Sequence, residues 1–307
     1  MNAEIEQLVK EIGKVVKGKD RVVRKVIAAI LAQGNILLED IPGVGKTTLA
    51  LALAKTMDLK YRRMQFTPDV LPSDIVGFMM YNEGTKEFEY REGAIFCNLF
   101  LADEINRTSA KTQSALLEAM EEGKVTVEGE THTLPVPFCV IATENPVGSS
   151  GTQLLPESQL DRFIVQLSIG YPSSSAAVEI LKNSAGAGLA QIQPVMNIER
   201  LMELQKQAAE MYVDDKMYEY IVKLTESTRN DPRIRLGVSP RGSIALLKMA
   251  KANALMRGGE YVIPEDVQDV IADTWTHRIK LSSKAKAEGL SAEQVLFELS
   301  ERISKIG

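Results

Sequence analysis

Short apolar runs alternate with amphipathic stretches through the first 170 residues of the chain. Ile5, Leu8, Val9 and Ile12 recur at helical spacing and predict an opening helix over residues 3–16. A second helix is expected over 20–32. Asn35-Ile36-Leu37-Leu38 reads as a buried strand, followed after a glycine loop by an Ala- and Leu-rich helix over 48–57 and a short strand near 60–66. Residues 68–77 read as loop and turn. Residues 81–90 read as a hairpin turning at Asn82-Glu83-Gly84-Thr85. The nearly continuous apolar run over 95–101, broken only by Asn98, predicts a strand buried on both faces. Ser109 is placed to cap a helix through Glu121, with Leu116, Leu117 and Met120 inward. Residues 124–134 alternate like a second hairpin turning at Glu128-Gly129-Glu130, and 138–142 and 163–167 predict two more strands.

Strands alternating with helices imply a parallel sheet covered on both faces. After Tyr171-Pro172-Ser173 the pattern changes to helices alone, near 176–183, 198–211, 216–229, 240–256, 264–278 and 292–305. The expectation is an α/β nucleotide-binding domain over 1–170 and a helical domain over 171–307.

Composition narrows the class. Of 307 residues, 45% are hydrophobic and 25% charged, which fits a globular fold rather than disorder. No apolar run is long enough to cross a bilayer, and the acidic start Met1-Asn2-Ala3-Glu4 is unlike a signal peptide, so a cytoplasmic protein without membrane insertion is expected. The net charge of −5, with no long basic run, argues against non-specific nucleic-acid binding. Cys97, Cys139, His132 and His277 are too scattered to predict a zinc site, and both thiols sit in apolar surroundings that suggest inert burial.

The chemistry is concentrated in Ile41-Pro42-Gly43-Val44-Gly45-Lys46-Thr47-Thr48, between a strand and a helix. Gly43 and Gly45 let the backbone wrap closely, so that the N–H groups that follow Pro42 and the helix terminus point at phosphates. Lys46 would neutralise the β- and γ-phosphates and Thr47 would ligate Mg²⁺, making a nucleoside triphosphate, ATP or GTP, and Mg²⁺ the expected ligands. The strict pattern has glycine where Asp40 stands. Asp40 tolerates a left-handed backbone better than most residues, and its carboxylate would have to point away from the phosphates.

Hydrolysis needs acids beside the phosphates. Asp103-Glu104 follows the 95–101 run, with Asp103 placed to hold Mg²⁺ through water and Glu104 to orient and deprotonate the attacking water. Asn145 ends another buried strand, where it suits either a turn before Pro146 or a hydrogen bond to that water. Arg162 sits at a strand entrance, in reach of either a local carboxylate or a neighbouring subunit's γ-phosphate. Arg241 follows the Ser239-Pro240 cap at the start of a lid helix, free for catalysis or for a salt bridge.

Together these residues resemble AAA+ ATPases and, within them, the MoxR family. The runs that carry the resemblance are Gln65-Phe66-Thr67-Pro68-Asp69-Val70-Leu71-Pro72-Ser73-Asp74, Leu101-Ala102-Asp103-Glu104-Ile105-Asn106-Arg107, Lys111-Thr112-Gln113-Ser114-Ala115-Leu116-Leu117-Glu118-Ala119-Met120, Ala142-Thr143-Glu144-Asn145-Pro146 and Leu155-Pro156-Glu157-Ser158-Gln159-Leu160-Asp161-Arg162-Phe163. The resemblance spans about residues 5–280. It implies a five-stranded αβα P-loop core with an all-helical lid, Lys46 and Thr47 on nucleotide and metal, Asp103 and Glu104 as the Walker-B pair, Asn145 as first sensor, Arg162 as an arginine finger acting in trans, and Arg241 as second sensor. The hairpins would be the family's helix-2 and pre-sensor inserts, and Asp20-Arg21-Val22-Val23 would lie near the adenine. Ala94, Gly259 and Ile263 depart from the family's usual Pro, Arg and Thr.

The resemblance further implies a homo-oligomeric ring, hexameric, whose hydrolysis moves the lid and remodels a client, commonly a metalloenzyme, with a von Willebrand factor A-type partner. Rival expectations are a metal-chelatase motor, a nucleic-acid motor contacting its substrate through residues such as Lys124, and a scaffold that binds nucleotide with little turnover.

Overall fold

The computed structural model describes residues 2–145, 155–182 and 188–304. Its strands, in chain order, are β1 (Ile36–Glu39), β2 (Tyr61–Gln65), β3 (Gly77–Asn82), β4 (Glu87–Glu92), β5 (Leu99–Asp103), β6 (Lys124–Val127), β7 (Glu130–Thr133), β8 (Cys139–Glu144), β9 (Val165–Leu167), β10 (Ile234–Leu236) and β11 (Lys280–Leu281). Five of them form one parallel sheet in the order β2-β5-β8-β1-β9. Leu37 lies between Ala142 of β8 and Gln166 of β9, and Leu101 faces Ile141.

The two-residue period of these strands divides the core. Ile36, Leu38, Leu99, Leu101, Cys139 and Ile141 belong to one apolar cluster, while Leu37, Phe100, Ala102, Val140 and Ala142 belong to a second. Both faces are therefore covered, as a parallel sheet with helical crossovers requires. The helices Ala3–Ile12, Asp20–Leu31 and Lys46–Thr56 pack into the first cluster, and Ala110–Glu122 supplies Leu116, Leu117 and Met120 to the second. Ser109 caps that last helix by accepting the Thr112 N–H at 3.3 Å.

Beyond β9 lie the helices Ser174–Lys182, Ile198–Ala209, Asp215–Asn230, Pro240–Arg257, Pro264–Trp275, Ser283–Ala287 and Ala292–Ser304. Pro240–Arg257 packs against Pro264–Trp275, Ile198–Ala209 and the core helix Asp20–Leu31. The first apolar cluster runs without a break from Ile5 through the sheet to Leu299, so lid and core share one buried interior.

Several expectations need correcting. The opening helix stops at Ile12, with Gly13 closing it on the Val9 carbonyl. The 68–77 loop contains the short helix Pro72–Val76, started by Pro72 and by Asp74 accepting the Leu71 N–H at 2.8 Å. The first hairpin is longer than 81–90, since β3 begins at Gly77. Only the end of the 95–101 run is a strand. Ile95 to Asn98 form tight turns under the hairpin, buried in the second cluster, while Asn98 donates to the Pro137 carbonyl at 2.9 Å and accepts the Lys60 N–H at 3.2 Å. The lid is not purely helical, because β10 and β11 pair antiparallel. Pro146, Asn183 and Lys305 lie outside the described residues.

The two hairpins, β3–β4 and β6–β7, stand outside the main sheet. His132 of β7 stacks on Tyr90 of β4 with ring centroids 3.6 Å apart and planes 7° from parallel. The Tyr90 hydroxyl in turn donates to the Val76 carbonyl.

Candidate active site

Past the end of β1 the chain turns through Gly43 (φ 87°) and Gly45 (φ 99°) and enters the helix Lys46–Thr56. Both angles are left-handed, which is why glycine is needed there. A Cβ at either position would meet nothing within 4 Å, so the loop is open on that side. Pro42 is exposed, Val44 half-buried, and Thr47 and Thr48 stand in the first helical turn. Lys46 is only 8% exposed, with its Nζ donating to the carbonyl oxygens of Asp40 at 2.5 Å and Glu144 at 3.3 Å. Burial pulls the ammonium pKa below its usual value, against the opposing pull of Asp40, Asp103, Glu104 and Glu39. The group is thus a buried cation with nearby acids and only backbone oxygens in direct contact.

Asp40 does not adopt the left-handed backbone that the missing glycine suggested. Its carboxylate does turn away from the loop, as expected. It accepts the Ser168 hydroxyl at 2.9 Å, the Gly170 N–H at 3.1 Å and the Ile169 N–H, so it fastens the exit of β9 to the base of the loop.

The neighbouring strands bring the acids to the same end of the sheet. Asp103 ends β5, where Arg63 of β2 reaches its Oδ2 at 2.7 and 3.2 Å and the Thr143 hydroxyl donates to its Oδ1 at 2.6 Å. Thr143 Oγ1 also accepts the Glu104 N–H at 2.9 Å. Glu104 itself is left-handed (φ 56°, ψ 51°), a backbone state costing roughly 1–2 kcal/mol for a non-glycine residue. Its carboxylate accepts from Asn145 Nδ2 at 2.8 Å and from Arg107 at 2.8 Å. Burial works to raise the Glu104 pKa, but the bonds from Arg107 and Asn145 outweigh it and the net shift is downward. Glu104 is therefore ionised at neutral pH, with each oxygen aimed by a separate donor.

Arg162 and Arg241 are elsewhere. Arg162 Nη1 lies 3.4 Å from Glu121 Oε2, and Arg241 reaches Oε1 of the same carboxylate. Glu121 lies in the last turn of the helix Ala110–Glu122 next to Met120, whose carbonyl accepts from Asn35 at 3.5 Å just before β1. The Ile164 N–H likewise bonds the Asn35 carbonyl at 2.8 Å. The two arginines thus sit at the amino edge of the sheet, while the phosphate loop leaves its carboxyl edge. The length of β1, roughly 13 Å for four residues, separates them.

Four residues around the site were not singled out from the sequence: Arg63, Arg107, Thr143 and Glu144. Arg107 had a signal, lying one helical turn after Glu104. Arg63 had none without the β2–β5 register, which places Arg63 two residues before Gln65, the partner of Asp103. Glu144 faces Glu39 across the β1–β8 pair, and burial, then Glu39, push its pKa up to about 7.

Among the described residues no group of three or more His, Cys, Asp or Glu side chains could hold a metal alone. A phosphate-bound Mg²⁺ asks for less, usually one or two protein ligands with phosphate and water completing its shell. The hydroxyl of Thr47 and the carboxylate of Asp103 fit that demand, and the open glycine loop beside a buried lysine fits a phosphate chain.

Comparison with known proteins follows the same lines. The profile of the ATPase family associated with various cellular activities (AAA) matches residues 35–165, and that of the AAA lid domain matches residues 226–299. Chaperone MoxR1 of Mycobacterium tuberculosis is 37% identical over 309 aligned residues, covering 98% of this chain and 82% of that protein. The chain belongs to the MoxR family of AAA+ ATPases. Another MoxR-type relative, Protein MoxR of Methylorubrum extorquens, is 28% identical over 89% of this chain and 86% of its own length. The uncharacterized protein YeaC of Bacillus subtilis is 50% identical over 95% of this chain and 91% of its own. Among solved structures, an ATPase candidate from Cytophaga hutchinsonii superposes with a TM-score of 0.89 at 38% identity, over 96% of this chain and 93% of that one. MoxR-type AAA+ proteins are generally oligomeric, and among the described residues of this one no helix is long and apolar enough to cross a membrane.

Proposed function

We propose that this MoxR-family chain hydrolyses ATP, with Mg²⁺, at sites shared between the subunits of a ring. The separation of Arg162 and Arg241 from the chain's own phosphate loop carries the reading. Two guanidinium groups at the amino edge of the sheet cannot reach a nucleotide at its carboxyl edge, but a neighbouring subunit can bring its nucleotide to them. Six subunits is the expected closure, and a cytoplasmic setting is expected.

Within one site, the chain from Pro42 to Gly45 wraps the phosphates, with the N–H groups of Gly43, Val44 and Gly45 facing them, while Lys46 offsets their charge. Mg²⁺, when bound, supplies charge neutralisation across the phosphate oxygens, with Thr47 and Asp103 as its protein side. Asp103 acts through water, because Thr143 and Arg63 already hold its two oxygens. Glu104 accepts the proton of the attacking water, and Asn145 fixes the direction of its carboxylate. Thr48 supports the first helical turn. Arg162 and Arg241 of the neighbour stabilise the charge that develops as the phosphoryl group departs.

The turnover serves chaperone-like remodelling of a protein or metalloenzyme complex, with a von Willebrand factor A-type protein as adaptor. The name of the mycobacterial relative supports the chaperone role. The adaptor rests on the family resemblance.

A mixing experiment tests the shared site. Glu104→Gln and Arg162→Ala proteins, each nearly inactive alone, are expected to regain turnover when co-assembled. The mixture creates interfaces where an intact Glu104 meets an intact Arg162. Arg162→Ala protein that assembles and turns over like wild type would defeat the proposal.

A further inference from the structure

The segment that carries Arg162 is wired into the lid. Asp161 places one carboxylate oxygen on Arg278 Nε at 2.8 Å and receives the Ser239 hydroxyl on the other at 2.9 Å. Ser239 caps the lid helix Pro240–Arg257, its oxygen also accepting the Gly242 N–H at 3.1 Å. Arg278 follows the lid helix Pro264–Trp275 and is 7% exposed. Besides Asp161 Oδ1, its guanidinium donates to the backbone carbonyls of Asp161 at 3.1 Å, Phe163 at 2.6 Å, Ile164 at 3.2 Å and Thr274. Nη1 also lies 2.7 Å from His277 Nε2, so six polar atoms surround the five guanidinium N–H groups, and three of the carbonyls flank Arg162.

Gly242 allows this close approach, since a Cβ there would come within 2.9 Å of Arg278 Cδ and 2.6 Å of Val238 Cγ1. A buried ion pair is a poor way to gain stability, because its desolvation cost rivals its Coulombic gain and an apolar pair often does as well. What a fully bonded guanidinium supplies is geometry. Here it fixes the backbone on both sides of Arg162, and through Asp161 it reaches the cap two residues before Arg241.

We propose that Asp161 and Arg278 are positioning residues that clamp the Arg162 segment to the lid, so that Arg162 and Arg241 are presented to a neighbouring subunit's nucleotide as one rigid pair. The proposal rests on the shared-site reading. It predicts that lid position in one subunit sets turnover in the next.

The test uses full-length Asp161→Asn and Arg278→Lys proteins, with Ser239→Ala as a milder variant on the same carboxylate. Folding is checked by thermal melt and assembly by size-exclusion chromatography. A displaced finger should lower kcat by about 10-fold or more, since an ångström of misplacement can cost on the order of 10²-fold. The KM for ATP should stay within about threefold, because the phosphate loop is untouched. Co-assembly with Glu104→Gln subunits, which donate an intact Arg162, should restore turnover to the intact sites of the clamp variants. Wild-type kcat in an assembled clamp variant overturns the clamp. So does a loss that Glu104→Gln subunits fail to restore while they do restore Arg162→Ala in parallel. If Arg162→Ala is not restored either, the shared site itself is wrong and the clamp falls with it.

Discussion

The carboxyl and amino edges of one five-stranded sheet present two different kinds of site. At the carboxyl edge, Lys46, Asp103, Glu104 and Asn145 come from the ends of three strands that lie side by side, and each is held by a short bond to a strand or loop next door. At the amino edge, Glu121, Arg162 and Arg241 come from a core helix, a turn and a lid helix, and meet on one half-exposed carboxylate. The carboxyl edge contains the acids and one buried lysine. The amino edge contains guanidinium groups whose present partner is a surface glutamate. The shared site proposed above draws on both edges, one from each of two subunits.

The largest effects should separate the edges. Lys46→Ala removes the buried cation from the loop and should weaken ATP binding by at least about 100-fold, the scale of a lost buried charge contact, as read by nucleotide titration. Arg241→Ala should leave that affinity within about threefold while lowering turnover by about 10-fold or more. If Arg241→Ala abolished binding instead, the two edges would not be separate sites.

Asp40→Ala sharpens the comparison at the level of stability. It deletes an acceptor shared by one hydroxyl and two backbone N–H groups and should cost about 1–3 kcal/mol, seen as a lower Tm. The strand exit it holds belongs to the carboxyl edge, so nucleotide affinity should drop as well. An unchanged Tm would mean that the carboxylate is dispensable to the loop.

Glu144 gives the carboxyl edge a pH dependence. Its folded pKa, about 7, lies above its ordinary value of 4.5, so the folded state holds the proton more tightly than the unfolded state. That contribution is fully present below about pH 4.5 and is lost as pH rises through 7. Tm should fall as pH rises from about 4.5 to about 7 and level off above it, and Glu144→Gln should flatten that fall. A slope unchanged by the substitution would exclude Glu144 as its source.

The smallest effect belongs to Glu121→Gln. The carboxylate is 39% exposed in its ion pairs, so stability should change by no more than about 1 kcal/mol. A larger change, measured by denaturant titration, would show that the arginine pair has a structural rather than a presented role.

Most of the fold was legible because parallel strands and amphipathic helices write their periods into the chain. The runs at 36–38 and 138–142 became β1 and β8, and Leu116, Leu117 and Met120 went inward as their spacing required. The 95–101 run misled because burial and strand pairing are separate demands. Ile95 to Cys97 are buried in the second core without joining the sheet. The short helix at Pro72–Val76 had its signals, a proline and an aspartate at the first turn, but its five residues carry too little period to be seen.

By itself the sequence determined the glycine loop, the acids after a strand and the helical stretch that follows them, because each is encoded by residues within one turn or one strand of each other. Only the tertiary structure decided that Asp40 fastens β9, that Asn145 aims Glu104, and that Arg278 binds the turn bearing Arg162 to the lid. Those partners lie from 41 to 130 positions apart along the chain. Nothing local fixes which of them meet. Their meeting is set by which strands pair and by the one apolar interior that joins the sheet to the lid.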